Sequence, residues 1–282
     1  RHPGVDLRAV TTVNGDTARR AAVAAKLVAL AGRDDVEVAA GLEGPPPPDG
    51  RVASTGREGQ GLLEPGEQVA FSDRDAVTVL LEATRDAAGC AIATVGMQTN
   101  LAAAVSRDPS LAQRVRRLAV MGGAFAPIDD HGAAASPALD HNLNVDPQGA
   151  LVALSAGLAT RYVPIDVTLR TFLTRVQLEL LRRGDALCRA LASLTDVWTP
   201  VLHARGGGRI PADHAAVLHD PLTVWAAVED RHLDVTTLPV TVARHGGDVR
   251  TFIDPAAGTP AEVVTAVDAP AFAEALVEVL LA

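Results

Sequence analysis

The chain has 282 residues, of which 48% are hydrophobic, 21% charged and only 3% aromatic, a balance that excludes a mostly disordered chain and leaves the core to Ala, Val and Leu. A formal net charge of −9, from 34 acidic and 25 basic residues, argues against a nucleic-acid binder, which needs a basic face for phosphates. Cys90 and Cys188 lie in apolar patterns without metal-type spacing, and the longest apolar run, 21–31, is interrupted by Lys26 and too short to cross a bilayer, so neither a disulfide framework nor a membrane partner is expected.

Residues 7–13 are apolar and β-branched and break at Asn14-Gly15-Asp16, which predicts a buried strand ending in a turn. A helix is predicted over 17–31, stopped by Gly32, and a short strand over 36–40. The stretch 44–66, with prolines at 45–48, reads as a long functional or mobile loop. A helix over 73–87 and a buried strand over 90–95 follow, then a turn at 96–100 in which Thr99 opens a helix continuing over 101–106. Arg114, Arg116 and Arg117 read as the cationic end of a helix. A strand over 118–121 ends at Gly122-Gly123, a second long loop covers 124–140, a helix covers 147–156, and a strand over 161–165 ends at Asp166-Val167-Thr168. Residues 173–198 are largely helical, 206–208 is a break, and 221–228 is a helix. Strands over 238–242 and 249–253 and a helix over 270–281, opened by Pro270, complete the chain.

Continuous apolar strands alternating with helices define an α/β chain, read as a single domain over 1–282 with a mostly parallel central sheet flanked by helices, a Rossmann-like open sheet. Ligands bind beyond the carboxyl ends of such strands, so the polar residues there carry the functional signal: Asn14 and Asp16, Thr99 and Asn100, the Gly122-Gly123 loop, Asp166 and Thr168.

Three segments could carry chemistry. In Leu218-His219-Asp220-Pro221, the plain reading is a helix start with Asp220 as cap and Pro221 at the first position; the sharper one makes Asp220 a hard oxygen ligand and His219 a proton donor. In the segment 140–147, Asp146-Pro147 starts a helix, while Asp140 and Asn142, two apart in an extended stretch, face one side and suit sugar hydroxyls. The turn at 96–100 exposes backbone carbonyls, which are calcium ligands. Asp129, Asp130 and His131 read as a solvated loop, and His214 and His219, five apart, do not make a zinc pair. The chain has no phosphate-binding loop, no dinucleotide fingerprint and no Gly-x-Ser-x-Gly elbow after a strand.

These segments, in this order, resemble the inosine–uridine nucleoside hydrolase family: AVTTVNGD at 9–16, LAGRDDVEVAAG at 30–41, GMQTNL at 96–101, VMGGAF at 120–125, the Asp-Pro segment at 140–147, PIDVT at 164–168 and LHDP at 218–221. The resemblance implies a nucleoside hydrolase-like fold and calcium-dependent cleavage of the N-glycosidic bond of ribonucleosides, in purine and pyrimidine salvage, by a cytoplasmic homo-oligomer. It implies that Asp220 binds calcium through its carboxylate and Thr99 through its backbone carbonyl, that Asp140, Asn142 and Asp16 contact the substrate, and that His219 lies beside the leaving base.

The chain departs from the family pattern in five ways. The acidic hallmark, Asp-x-Asp-x-Gly-x-Asp-Asp, would lie upstream of the part that matches, so the domain is expected to lack the first strand and its acidic loop, and this chain alone to bind calcium poorly. Asp140 replaces a Glu, Asp16 an Asn and Thr55 a His, and a ribose-contacting Asn falls near Ala134. The alternative expectation is a catalytically impaired nucleoside- or ribose-binding member of the same scaffold.

Overall fold

A computed structural model of the chain describes residues 1–45, 56–85, 89–137 and 140–282. Residues 46–55 of the predicted 44–66 loop, Thr55 among them, and the end of the predicted 73–87 helix lie outside the described residues.

In chain order the elements are β1 (Ala9–Thr11), α1 (Thr17–Leu30), β2 (Glu37–Ala39), α2 (Ala76–Ala83), β3 (Cys90–Thr94), α3 (Thr99–Arg107), α4 (Leu111–Arg114), β4 (Val115–Met121), β5 (Ile128–Asp129) and β6 (Ala134–Ala135). Then come α5 (His141–Asn144), α6 (Pro147–Leu154), β7 (Thr160–Val163), α7 (Ile165–Thr168), β8 (Phe172–Thr174), α8 (Arg175–Arg183), α9 (Ala186–Gly206), β9 (His214–Val217), α10 (His219–Val228), β10 (Leu233–His245), β11 (Asp248–Ile253), β12 (Thr259–Val267) and α11 (Ala269–Leu281).

Six strands form the central sheet in the order β11-β10-β12-β7-β4-β3. The β12–β7, β7–β4 and β4–β3 ladders are parallel, whereas β10 runs antiparallel to both β11 and β12. The expected parallel core is present, extended beyond β12 by the antiparallel β10–β11 hairpin, whose β10 lies between β11 and β12. β12, at the join between the two, escapes the sequence reading because Pro260 and Glu262 interrupt its apolar run. Helices cover both faces: one core cluster gathers Val163, Leu178, Trp225, Val264 and Phe272, and the other Leu101, Leu111, Leu118, Tyr162 and Val263. Arg161, on β7, is almost fully buried and pairs with Glu262 and Asp230.

Among the described residues β1 pairs in parallel with β2 alone. Its carboxyl end meets that of β3, where a Cβ added to Gly96 would lie 2.9 Å from Val13 Cγ1. The Asn100 side chain fastens the two: its amide donates to the Thr12 carbonyl (2.8 Å), and its Oδ1 accepts from the Leu42 amide (2.9 Å).

Two local expectations are corrected and one is made finer. Arg116 and Arg117 belong to β4, because α4 ends at Arg114. The largely helical stretch over 173–198 holds two helices, since Gly184 stops α8 and Asp185 caps α9, which then continues past Pro200 to Gly206. Asp220 does not cap α10: the helix begins one residue before it, with Leu218 at the cap position and no side-chain cap bond. Among the described residues, no helix is long and apolar enough to cross a membrane.

Candidate active site

A cavity of about 400 Å³ opens beyond the carboxyl ends of the parallel strands, with Val95 after β3, Met121 ending β4 and Ile165 after β7 in its wall. His219 and Asp220 enter from α10, Asp140 and Asn142 from the start of α5, and Trp198, Leu202 and Arg205 from the last turns of α9. Asp130 and His131 come from the β5–β6 hairpin.

Asp140 is the N-cap of α5, not part of an extended stretch, because its carboxylate turns back to accept the Leu143 amide (3.1 Å). Its other oxygen accepts the Gly123 amide. Gly123 has φ of +87°, a conformation that suits glycine and lets its backbone amide approach the carboxylate directly. Burial pushes the Asp140 carboxyl up to about 6, against the pull of the amides of Gly123, Leu143 and Asn142. Asn144 stitches the α5 turn to β11: its amide nitrogen donates to the carbonyls of Asp140 (3.0 Å) and Val249 (3.3 Å), and its oxygen accepts the Val249 amide (2.8 Å). Asn142 donates to the Met121 carbonyl (3.0 Å), which leaves its own oxygen for a ligand. Asp140 and Asn142 therefore share the cavity wall as expected, though through a cap and a single helical turn.

His219 Nδ1 lies 2.7 Å from Thr168 Oγ1. Burial lowers the imidazole to about 4, with a smaller contribution from the charge of His131, so the ring is neutral at neutral pH. Asp220 keeps its surface open to the cavity, but protein walls enclose it, and burial raises its carboxyl to about 6. No hydrogen bond or ion pair from the described residues holds that carboxylate; because the helix begins ahead of it, the group is free of a capping duty. Asp166 is a third carboxylate shifted upward by burial, and it accepts the Phe125 amide (3.0 Å).

Asp16 and Thr99 are not among the residues that line this cavity. Asp16 caps α1 by accepting the Arg19 amide (2.8 Å). Thr99 is the first residue of α3, and its hydroxyl donates to Asp146 (2.5 Å).

The cavity wall also holds residues that local sequence pattern marks only as a loop. Asp130 and His131 are cavity-wall groups, not a solvated loop. Arg205 stacks over the Trp198 ring with its guanidinium carbon 5.2 Å from the ring centroid. A polar Asp-Asp-His-Gly turn inside an otherwise small-residue loop is the only local signal that marks the first pair.

Calcium takes six to eight oxygen ligands, several of them carboxylates. Here Asp220 offers one carboxylate without a partner, while both Asp140 oxygens already accept backbone amides. Among the described residues no group of three or more His, Cys, Asp or Glu could hold a metal ion. These residues alone do not make a complete calcium site.

The sequence model of the inosine-uridine preferring nucleoside hydrolases matches residues 1–274, and the chain belongs to that family. It is 30% identical to the probable uridine nucleosidase 1 of Oryza sativa subsp. japonica over 87% of this chain and 76% of that protein. It is 26% identical to the inosine-uridine preferring nucleoside hydrolase of Leishmania major over 87% of this chain and 77% of that one. Among solved structures, the plant nucleoside hydrolase PpNRh1 superimposes with a TM-score of 0.79 at 28% identity, covering 99% of this chain and 92% of that one. A purine-preferring ribonucleoside hydrolase from Gardnerella vaginalis shares the fold with a TM-score of 0.81 at 24% identity, covering 99% and 90%.

Proposed function

We propose that the cavity cleaves the N-glycosidic bond of ribonucleosides to free base and ribose, by addition of water at the anomeric carbon. The observation that carries this reading is the convergence of Asp220, a walled-in carboxylate without a partner among the described residues, with His219, Asp140 and Asn142 in one cavity of a chain of this family. Asn142 Oδ1 and the remaining lone pairs of Asp140 accept ribose hydroxyls. The carboxylates of Asp140 and Asp220 offset the positive charge that grows on the sugar as the base departs. His219, pinned by Thr168, faces the leaving base.

Calcium belongs to this reading as the ion the resemblance implies, with Asp220 as its carboxylate ligand and Thr99 as a carbonyl ligand; the ion would polarise the water and orient the sugar diol. The other oxygens would have to come from outside the described residues. An additional acid-bearing strand alongside β1 and β3 is part of the same proposal. What supports it is that β1 and β3 meet at their carboxyl ends while no ladder joins them among the described residues. Asp16, in this scheme, reaches the substrate only through movement of the α1 cap.

A second reading, a nucleoside- or ribose-binding protein on this scaffold, is favoured by Asp220 being the one cavity carboxylate without a partner among the described residues. One experiment separates the two: calorimetry with ribose and inosine, with chromatography of the mixture for free hypoxanthine. Release of base upholds cleavage, binding without release upholds the second reading, and absence of both overturns each.

A further inference from the structure

We propose that His131, on the β5–β6 hairpin, meets the departing base and hands it a proton, so that the leaving-group chemistry comes from the hairpin and not from α10 alone. The inference rests on the reading of the cavity as a nucleoside-cleaving site.

His131 stands in the cavity wall together with His219 and Asp220. Its side chain is only 10% exposed, so the ring belongs to the interior of the cleft and not to bulk solvent. Its backbone has φ of +54°, a conformation rare outside glycine and asparagine that the surrounding contacts have to hold. They do so through a tight turn: Asp129 accepts the Gly132 amide (2.5 Å), and Asp130 donates its amide to the Ala133 carbonyl (2.8 Å). That left-handed kink brings the imidazole against Phe172, with ring centroids 5.4 Å apart.

Asp130 completes the arrangement. One of its oxygens lies 3.7 Å from His131 Nε2, and the other lies 3.5 Å from Arg209 just beyond α9. The hairpin is thus tied across the cleft to the segment that follows the Trp198–Arg205 stack. With the sugar held by Asp140 and Asn142, the base is left between that stack and the hairpin, within reach of His131. His219, by contrast, has one ring nitrogen committed to Thr168.

The chemistry balances with one imidazolium proton. The bond between the anomeric carbon and the base nitrogen breaks, and its electron pair goes to the base. A base nitrogen takes the proton from His131. Water adds its oxygen to the anomeric carbon, and the proton that water releases restores the imidazolium.

The test compares the chain with its His131→Asn variant, which keeps the left-handed turn because asparagine tolerates that conformation, and with His131→Gln as a second replacement. The substrates are inosine, whose base needs protonation, and 4-nitrophenyl riboside, whose leaving group does not. A proton-donor role predicts that kcat on inosine falls about 100-fold or more, within the usual contribution of general acid catalysis, while nitrophenyl riboside turnover stays within about threefold. Equal losses on both substrates, or no loss on inosine, overturn the proposal. If the unaltered chain cleaves neither substrate, the cleavage reading fails by itself, and calorimetry with free hypoxanthine then decides the base contact. A tenfold weaker Kd in both variants upholds that contact; an unchanged Kd overturns it.

Discussion

Asp140→Asn should make the folded chain more stable at neutral pH relative to its effect in acid. Burial raises the Asp140 carboxyl from 3.8 to about 6. The folded pKa is above the unfolded one, so the folded chain holds this proton more tightly. The stability that results is fully present only well below the unfolded value of 3.8 and is lost as the pH rises through about 6. At about 1.4 kcal/mol per unit, the full loss is ~3 kcal/mol, of which about 1 has already gone by pH 4.5; ~2 kcal/mol is therefore lost between pH 4.5 and 7.5. Asparagine has the same shape and no charge. Its oxygen can accept one of the two amides that now point at the carboxylate, and its own amide group faces the other, a penalty of about 1–2 kcal/mol that does not change with pH. Urea unfolding of both proteins, followed by circular dichroism at pH 4.5 and 7.5, reads the difference directly. The stability of the variant relative to the parent should improve by ~2 kcal/mol between the two pH values. A relative stability that is the same at both, or that moves the other way, would refute the assignment of a strained, ionised carboxylate to this position. Weaker ribose binding by the variant would show what that strain serves.

Other outcomes follow from the same contacts. Asp220→Ala should abolish any stabilisation of the chain by added calcium, read as a thermal shift; an unchanged shift would remove Asp220 from the ion's ligands. Phe272→Ala, at a fully buried ring packed edge-on to Trp225, should lower the unfolding free energy by about 3–5 kcal/mol in urea titration. In Gly41→Ala, the new methyl would meet the Thr12 carbonyl at 2.0 Å and the Asn100 amide at 2.4 Å. That substitution should break the link between β1 and α3 and cost about 1–3 kcal/mol, with faster hydrogen exchange at Thr12 and Leu42 as the local sign.

Much of this molecule is legible in its sequence because its signals are local. Apolar β-branched runs bounded by glycines mark β3, β4 and β7, and Asp-Pro at 146–147 marks the start of α6, with Asp146 accepting the Gly149 amide (2.9 Å). The position of the site follows from the same pattern, since in a parallel sheet the residues just after the strands must gather at one end. Four of the six expected site residues, His219, Asp220, Asp140 and Asn142, do meet there.

What the sequence by itself determined is thus the fold class, the family and the end of the sheet that carries function, each set by periodicity, turn residues and short motifs within a few positions. The tertiary structure decided the rest. Whether an aspartate caps a helix or stands free depends on where the helix begins, and a start two residues earlier than expected released Asp220. Whether a polar loop is solvated or lines a cavity depends on what it folds against, and Phe172 and Arg209, far along the chain, contact His131 and Asp130 at the cavity wall. The charge states of Asp140 and His219 likewise depend on burial by distant elements, which no local pattern encodes.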